Sequence, residues 1–241
     1  MVGYAFFMSI ISGYPMGAKV VSDLKNAGAL SKSESIRAAA LCSTSSPMFL
    51  ISSVGSFMFN STSFGTCLFL CHILSSLTIG IIFSFYKRKD KPITSATALS
   101  SQKIDNLLYE TIYSAVISAL VVCGMITLFY LITEIALYTN LLTPIISGVE
   151  LLTKDSALAK GIVLGVFECT RGLKSIAGSG VNLGALVCCS AVCGFGGLSV
   201  IMQSLIYLKK AKIKTAPFFI AKTLMAVISC LFALILFPIF F

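Results

Sequence analysis

The chain of 241 residues contains no tryptophan, a single histidine, and nine acidic side chains against eighteen basic ones. Without Trp, any aromatic belt at a membrane interface has to come from tyrosine and phenylalanine. With His72 as the lone histidine, a histidine-rich metal centre is ruled out. Cys67 and Cys71 stand at i and i+4 beside it and could share a helix face, but no fourth ligand accompanies them, and cysteine packs between helices as a small hydrophobe. No metal and no cofactor is therefore expected. The chain also lacks a nucleophile–base pair, paired catalytic carboxylates and a phosphate loop, so it does not read as an enzyme. Nucleic-acid signatures of the RNP type are missing, and the net charge of +9 is not assigned to nucleic acid. The nine cysteines are scattered through apolar segments rather than arranged as a disulfide framework.

What is present is apolar sequence. Apolar residues make up 57% of the chain and charged residues 11%. Several uncharged runs reach the roughly 20 residues needed to cross a bilayer. Long continuous runs, in place of short alternating strands, exclude a β-barrel. The expected fold is an all-α polytopic membrane protein in contact with the lipid bilayer. Its Lys and Arg residues cluster in short loops, as the positive-inside rule expects of cytoplasmic ones.

Two interruptions organise the rest. In Gly13-Tyr14-Pro15-Met16-Gly17-Ala18-Lys19, Pro15 lacks a backbone N–H and the flanking glycines tolerate unusual dihedrals, so a helix turns or unwinds there. Gly194-Phe195-Gly196-Gly197-Leu198-Ser199-Val200 repeats the pattern of aromatic after glycine, further glycine, then apolar residues. Matching breaks in two halves of a membrane protein point to an internal repeat and to a binding site. The competing reading is two unrelated packing clusters.

In chain order, residues 1–91 form a first membrane unit: a hairpin broken at 13–17 and spans at 36–59 and 64–86. The segment 2–11 is too short to span and lacks the basic n-region of a signal peptide, so the chain is expected to begin inside a structural unit. The centre of the 36–59 span is polar, with Ser43, Thr44, Ser45, Ser46 and Pro47 in succession. Its hydroxyls can satisfy carbonyls freed by the proline, supply donors and acceptors to a polar solute, or simply pack against neighbouring helices. Lys87 to Lys91 is the strongest topological marker and is placed in the cytoplasm, and 92–106 reads as a cytoplasmic linker. Residues 107–241 form a second unit with spans at 107–138, 157–176 and 217–240 and a second hairpin broken at 194–197. About five spans and two re-entrant hairpins result. Counting crossings puts both hairpins on the cytoplasmic side, which favours a parallel repeat over an inverted one.

Glu168 and Arg171 are ionisable residues in or beside an apolar stretch. On one helix their spacing puts them on one face, and charges inside membrane segments are expensive enough to suggest function. Alternatively the helix ends at Thr170 and leaves Arg171 in interfacial water. The candidate pathway residues are Gly13, Tyr14, Pro15 and Gly17; Ser43, Thr44, Ser45, Ser46 and Pro47; Glu168 and Arg171; and Gly194, Gly196, Gly197 and Gln203.

Ser12 to Lys19, Ser46-Pro47-Met48-Phe49, Phe167-Glu168, and Gly194 to Val200 with Gln203 together resemble the YlbJ-type sporulation integral membrane proteins, which belong with the nucleoside-recognition or gate domain proteins. The resemblance covers most of the chain. It implies a multi-pass plasma-membrane protein of an endospore-forming bacterium, acting in spore cortex or envelope formation. Members of the family are longer at the N-terminus, with further spans ahead of the first motif, so the resemblance implies that the N-terminal part is lacking here. Two functions stand side by side. One is a transporter or gate for a small polar solute, nucleoside-like by the domain label. The other is a non-transporting membrane scaffold for envelope assembly, with a second copy or other sporulation membrane proteins as partners.

Overall fold

The computed structural model describes residues 1–86 and 104–241. The basic marker at 87–91, and most of the linker placed at 92–106, lie outside the described residues. Four helical segments are long and apolar enough to cross a membrane: Thr62–Ser84, Leu108–Tyr138, Leu183–Lys210 and Ala216–Phe240. The protein is therefore a multi-pass helical membrane protein. The further span expected at 36–59 is not one of these, because that apolar stretch is not one helix. It divides into Lys32–Leu41 and the π-helical Met48–Met58, with non-helical chain between them.

Local chemistry sets the ends. Ser31 and Glu34 form a reciprocal capping box that starts Lys32–Leu41. Ser61, Asp155 and Asn182 each accept backbone N–H groups at the start of Thr62–Ser84, Ser156–Phe167 and Leu183–Phe195. Pro144 and Pro217 occupy first-turn positions, where a missing N–H costs nothing, in Thr143–Thr153 and Ala216–Phe240.

The chain carries the same order of elements twice. In the first unit, Val2–Ser12 and Met16–Asn26 fold back on one another around Gly13 to Pro15, and the Tyr14–Pro15 peptide is cis. Gly17 lies against Ser9 and the Cys42 carbonyl so closely that a Cβ there would overlap that oxygen. Next come Lys32–Leu41 and Met48–Met58, laid end to end along Thr62–Ser84. Leu41 packs where Gly80 has no side chain, and Gly55 meets Gly65 backbone to backbone. In the second unit, Ser156–Phe167 and Cys169–Ile176 form the fold-back pair. Gly161, Gly165 and Gly172 bring their backbones into contact, and Ser175 donates to the Ala157 carbonyl at 3.3 Å. Leu183–Phe195 and Gly197–Lys210 follow end to end, and Ala216–Phe240 runs back along the first of them, with Gly194 against the Ala226 backbone.

This arrangement corrects two expectations. The fold-back pair of the second unit is at 156–176, where a span was expected. The break at 194–197 lies within a long, apolar, end-to-end segment, where a hairpin was expected. The parity of crossings could not separate these, since one crossing and one hairpin leave Lys209 to Lys214 on the same side in either order. The two units are also inverted rather than parallel. Ile79 and Phe83 share a core with Ala221 and Met225, whereas Phe64 and Leu68 share one with Ala233, Leu236 and Phe237, so Thr62–Ser84 and Ala216–Phe240 run antiparallel. The open ends of the first fold-back pair lie with Leu30, Leu208, Ala211 and Ile213 at the lysine-rich face. Those of the second lie with Leu158, Ile176 and Ala185 at the opposite face.

Candidate functional site

Inversion brings the interruptions together. A cavity of about 180 Å3 is lined by Ser12, Gly13 and Tyr14 from the first fold-back tip and Ser45, Ser46 and Phe49 from the unwound segment. Glu168, Cys169 and Thr170 come from the second tip, Cys193, Val200 and Gln203 from either side of the glycine break, and Val122 and Ile126 from the long helix Ile104–Tyr138. A second cavity, about 870 Å3, lies toward the lysine-rich face and is lined by Tyr14, Pro15, Lys19, Asp23, Glu110, Ser114, Ser118, Val122 and Lys210 among others. Tyr14 and Val122 belong to both walls.

Part of the central cavity's wall is built from non-helical chain. Ser43 to Ser46 lie outside any helix, and their backbone groups need other partners. The Ser45 N–H donates to Nε2 of buried His72 at 2.9 Å. The Ser43 carbonyl accepts from the Tyr14 hydroxyl at 3.0 Å, Thr44 and Ser9 share a hydroxyl hydrogen bond of 3.0 Å, and Ser46 Oγ accepts from the Phe49 N–H at 3.3 Å. Pro47 supplies the N-terminal cap position of Met48–Met58. Gly196 and Gly197 take φ of +84° and +75°, left-handed values that glycine tolerates best. A Cβ on Gly197 would press on the Gly165 carbonyl and the Cys169 N–H, so the glycine break and the second tip are fitted to one another.

Glu168 is 2% exposed and faces this cavity. Its carboxylate oxygens accept the N–H groups of Thr170 at 3.1 Å and Arg171 at 2.7 Å, capping the short helix that follows. It does not pair with the Arg171 side chain. That guanidinium points away, over the Tyr130 ring at 4.4 Å, and donates to the Tyr130 carbonyl at 3.1 Å, to Thr133 Oγ1 at 2.7 Å and to the Glu134 carboxylate. Sharing one helix face, as the spacing suggested, therefore fails: Glu168 precedes the helix as its cap, and Arg171 ties the tip to Ile104–Tyr138. Gln203, 1% exposed, lines the cavity and donates to Ser199 Oγ at 3.2 Å. Gly17 and Gly194 stand outside the cavity wall as points of close approach.

Two residues that sequence reasoning did not select complete the site. Lys222, 1% exposed within the apolar Ala216–Phe240, donates from Nζ to the Tyr14 hydroxyl at 2.6 Å, 4.5 Å from the ring centroid. His72 packs edge-on to the same ring, centroids 6.3 Å apart. The signal for Lys222 was available: it is an ionisable residue in an apolar run, the criterion that singled out Glu168. His72 was weighed only as a metal ligand. Among the described residues no group of three or more His, Cys, Asp or Glu is placed to hold a metal ion.

Fold and site together define a helical membrane protein in which two inverted units face a shared cavity with Glu168 and Gln203 in its wall. The chain is 28% identical over 258 residues to the sporulation integral membrane protein YlbJ of Bacillus subtilis (strain 168), a similarity covering 97% of this chain and 63% of that relative. The chain thus spans less than two thirds of that protein's length. No protein-family model matches it, and neither does a solved structure.

Proposed function

We propose that this is a sporulation-associated integral membrane protein of the bacterial plasma membrane, and that its central cavity is the solute site of a transporter or gate. The observation that carries this reading is the convergence of the two fold-back tips, the unwound segment at Ser45 and Ser46, and residues on either side of the glycine break on one cavity with a buried carboxylate and a buried amide in its wall. Irregular backbone deep in a membrane is tolerated only where protein buries it or water reaches it, and here it lines a cavity. In this reading the chain crosses five times, at 32–58, 62–84, 104–138, 183–210 and 216–240. The pairs at 2–26 and 156–176 are re-entrant hairpins entering from opposite faces. The cavity offers acceptors at Glu168 and hydroxyls at Ser12, Ser45 and Ser46, which suits a hydroxyl-bearing solute of the nucleoside-like class that the family resemblance implies. Similarity to a protein named for sporulation supports the physiological setting.

The test is thiol accessibility. In a cysteine-free background, Ser46→Cys in sealed vesicles is expected to react with a small water-soluble thiol reagent, and nucleosides added beforehand are expected to slow that reaction. A correctly inserted protein in which Ser46→Cys stays inert would have a dry interior, and the scaffold function would replace transport.

A further inference from the structure

Tyr14 lies in the wall between the two cavities, and its fixation is unusual. Its hydroxyl is held by the Ser43 carbonyl at 3.0 Å, with the Cys193 carbonyl a further acceptor at 3.4 Å, and it accepts from Lys222 Nζ at 2.6 Å. These partners come from three separate elements. Val122, the other residue common to both walls, is an apolar side chain on the long peripheral helix.

Lys222 is unusual in turn. It is buried in an apolar helix, and the ion pair found among the described residues is Arg171–Glu134, not one to Lys222. Basic side chains in membrane helices ordinarily pair with a carboxylate or line an aqueous path. The polar contact described for Lys222 leads to Tyr14 alone. It lies against the glycine break: a Cβ on Gly196 would meet Cε and Nζ of Lys222 at 3.4 Å, ordinary contact distance. The side chain that fixes the tip of the first unit thus packs beside the break of the second.

We propose that Lys222 is a positioning residue that holds Tyr14 as the partition between the central cavity and the larger cavity on the lysine-rich side. Loss of the Lys222–Tyr14 contact joins the two. The physiological meaning rests on the reading of the central cavity as a solute site, but the partition is testable whether or not any solute moves.

Native cysteines report it. Cys169 and Cys193 line the central cavity, whereas Cys71 and Cys189 are fully buried in the helix core. In vesicles exposing the lysine-rich face, a small charged methanethiosulfonate is applied and labelling of each cysteine is followed by peptide mass spectrometry. In Lys222→Met, Cys169 and Cys193 are expected to label at least tenfold faster than in the unaltered protein, with Cys71 and Cys189 unchanged. Tyr14→Phe, which keeps the ring and removes the hydroxyl, is expected to show a smaller increase at the same two positions. Unchanged rates at Cys169 and Cys193 in both variants would overturn the proposal. If all four cysteines rise together in Lys222→Met, the fold has been lost and Tyr14→Phe decides: a rise confined to Cys169 and Cys193 supports the partition, and any other pattern overturns it. Failure of the nucleoside protection experiment at Ser46→Cys would remove the transport reading and leave this result standing.

Discussion

The backbone N–H of Ser45 donates to Nε2 of His72 across 2.9 Å, so an imidazole on Thr62–Ser84 does for the unwound segment what a helical carbonyl does elsewhere. A buried donor deprived of its acceptor costs about 1–3 kcal/mol. His72→Ala is expected to lose at least that much, and His72→Gln, whose amide oxygen can accept, to recover part of it. Thermal unfolding of the detergent-solubilised protein measures both, and equal stability of the two variants would show that the bond does not support the break.

Glu168 and Arg171 are expected to separate in function. Glu168→Gln keeps an acceptor for the capped N–H groups, so stability should fall by less than the about 1 kcal/mol typical of a lost cap, while solute uptake falls at least tenfold. Arg171→Ala removes a tie to a Glu134 side chain that is 55% exposed, and exposed pairs are worth about 0–1 kcal/mol. Uptake by Arg171→Ala should stay within a few-fold of the unaltered protein. The reverse order of sensitivities would count against the proposed solute site at Glu168.

Two glycines make a matched stability test. A Cβ at Gly172 would overlap Gly165 and lie 2.7 Å from the Gly161 carbonyl oxygen, whereas one at Gly124 meets nothing within 4 Å. Gly172→Ala should destabilise by about 1–3 kcal/mol through overpacking of the second fold-back pair. Gly124→Ala should be neutral or stabilise Ile104–Tyr138 by up to about 1 kcal/mol. Folded yield and melting temperature compare them directly.

Inversion predicts sidedness. Asn26→Cys, at the open end of the first pair, and Ser179→Cys, beyond the second, are expected to react with an impermeant thiol reagent added to opposite faces of sealed vesicles. Labelling of both from one face would restore the parallel arrangement.

Much of this was legible in the sequence, and the rest was hidden for definable reasons. The break at Gly13 to Pro15, the polar stretch Ser43 to Ser46 and the carboxylate of Glu168 are local anomalies in apolar surroundings, and all of them line the cavity or hold its wall. Which segment folds back was not local. Gly161, Gly165 and Gly172 form the seam of the second pair, yet each reads as an ordinary small residue until the two arms are placed side by side. Partners distant in the chain were equally out of reach. Tyr14 and Lys222 are 208 positions apart, and Arg171 found Glu134 rather than the carboxylate three residues before it.

The long helix Ile104–Tyr138 is packed differently from the rest. Only 6% of its apolar stretch is buried, and the three larger hydrophobic clusters of the described residues draw nothing from it. Yet it closes one side of both cavities. It is held at one end by Lys19 to Ser114 and Ser118, with Tyr207 and Ser118 sharing a hydroxyl bond, and at the other by Arg171 to Tyr130, Thr133 and Glu134. Ala136 and Leu137 add apolar packing against Leu142, Val163 and Leu164 at that second end, so the helix resembles a panel fastened near its two ends to a frame. With so little of it buried, moving this helix to widen the cavities disturbs far less packing than rearranging the core would.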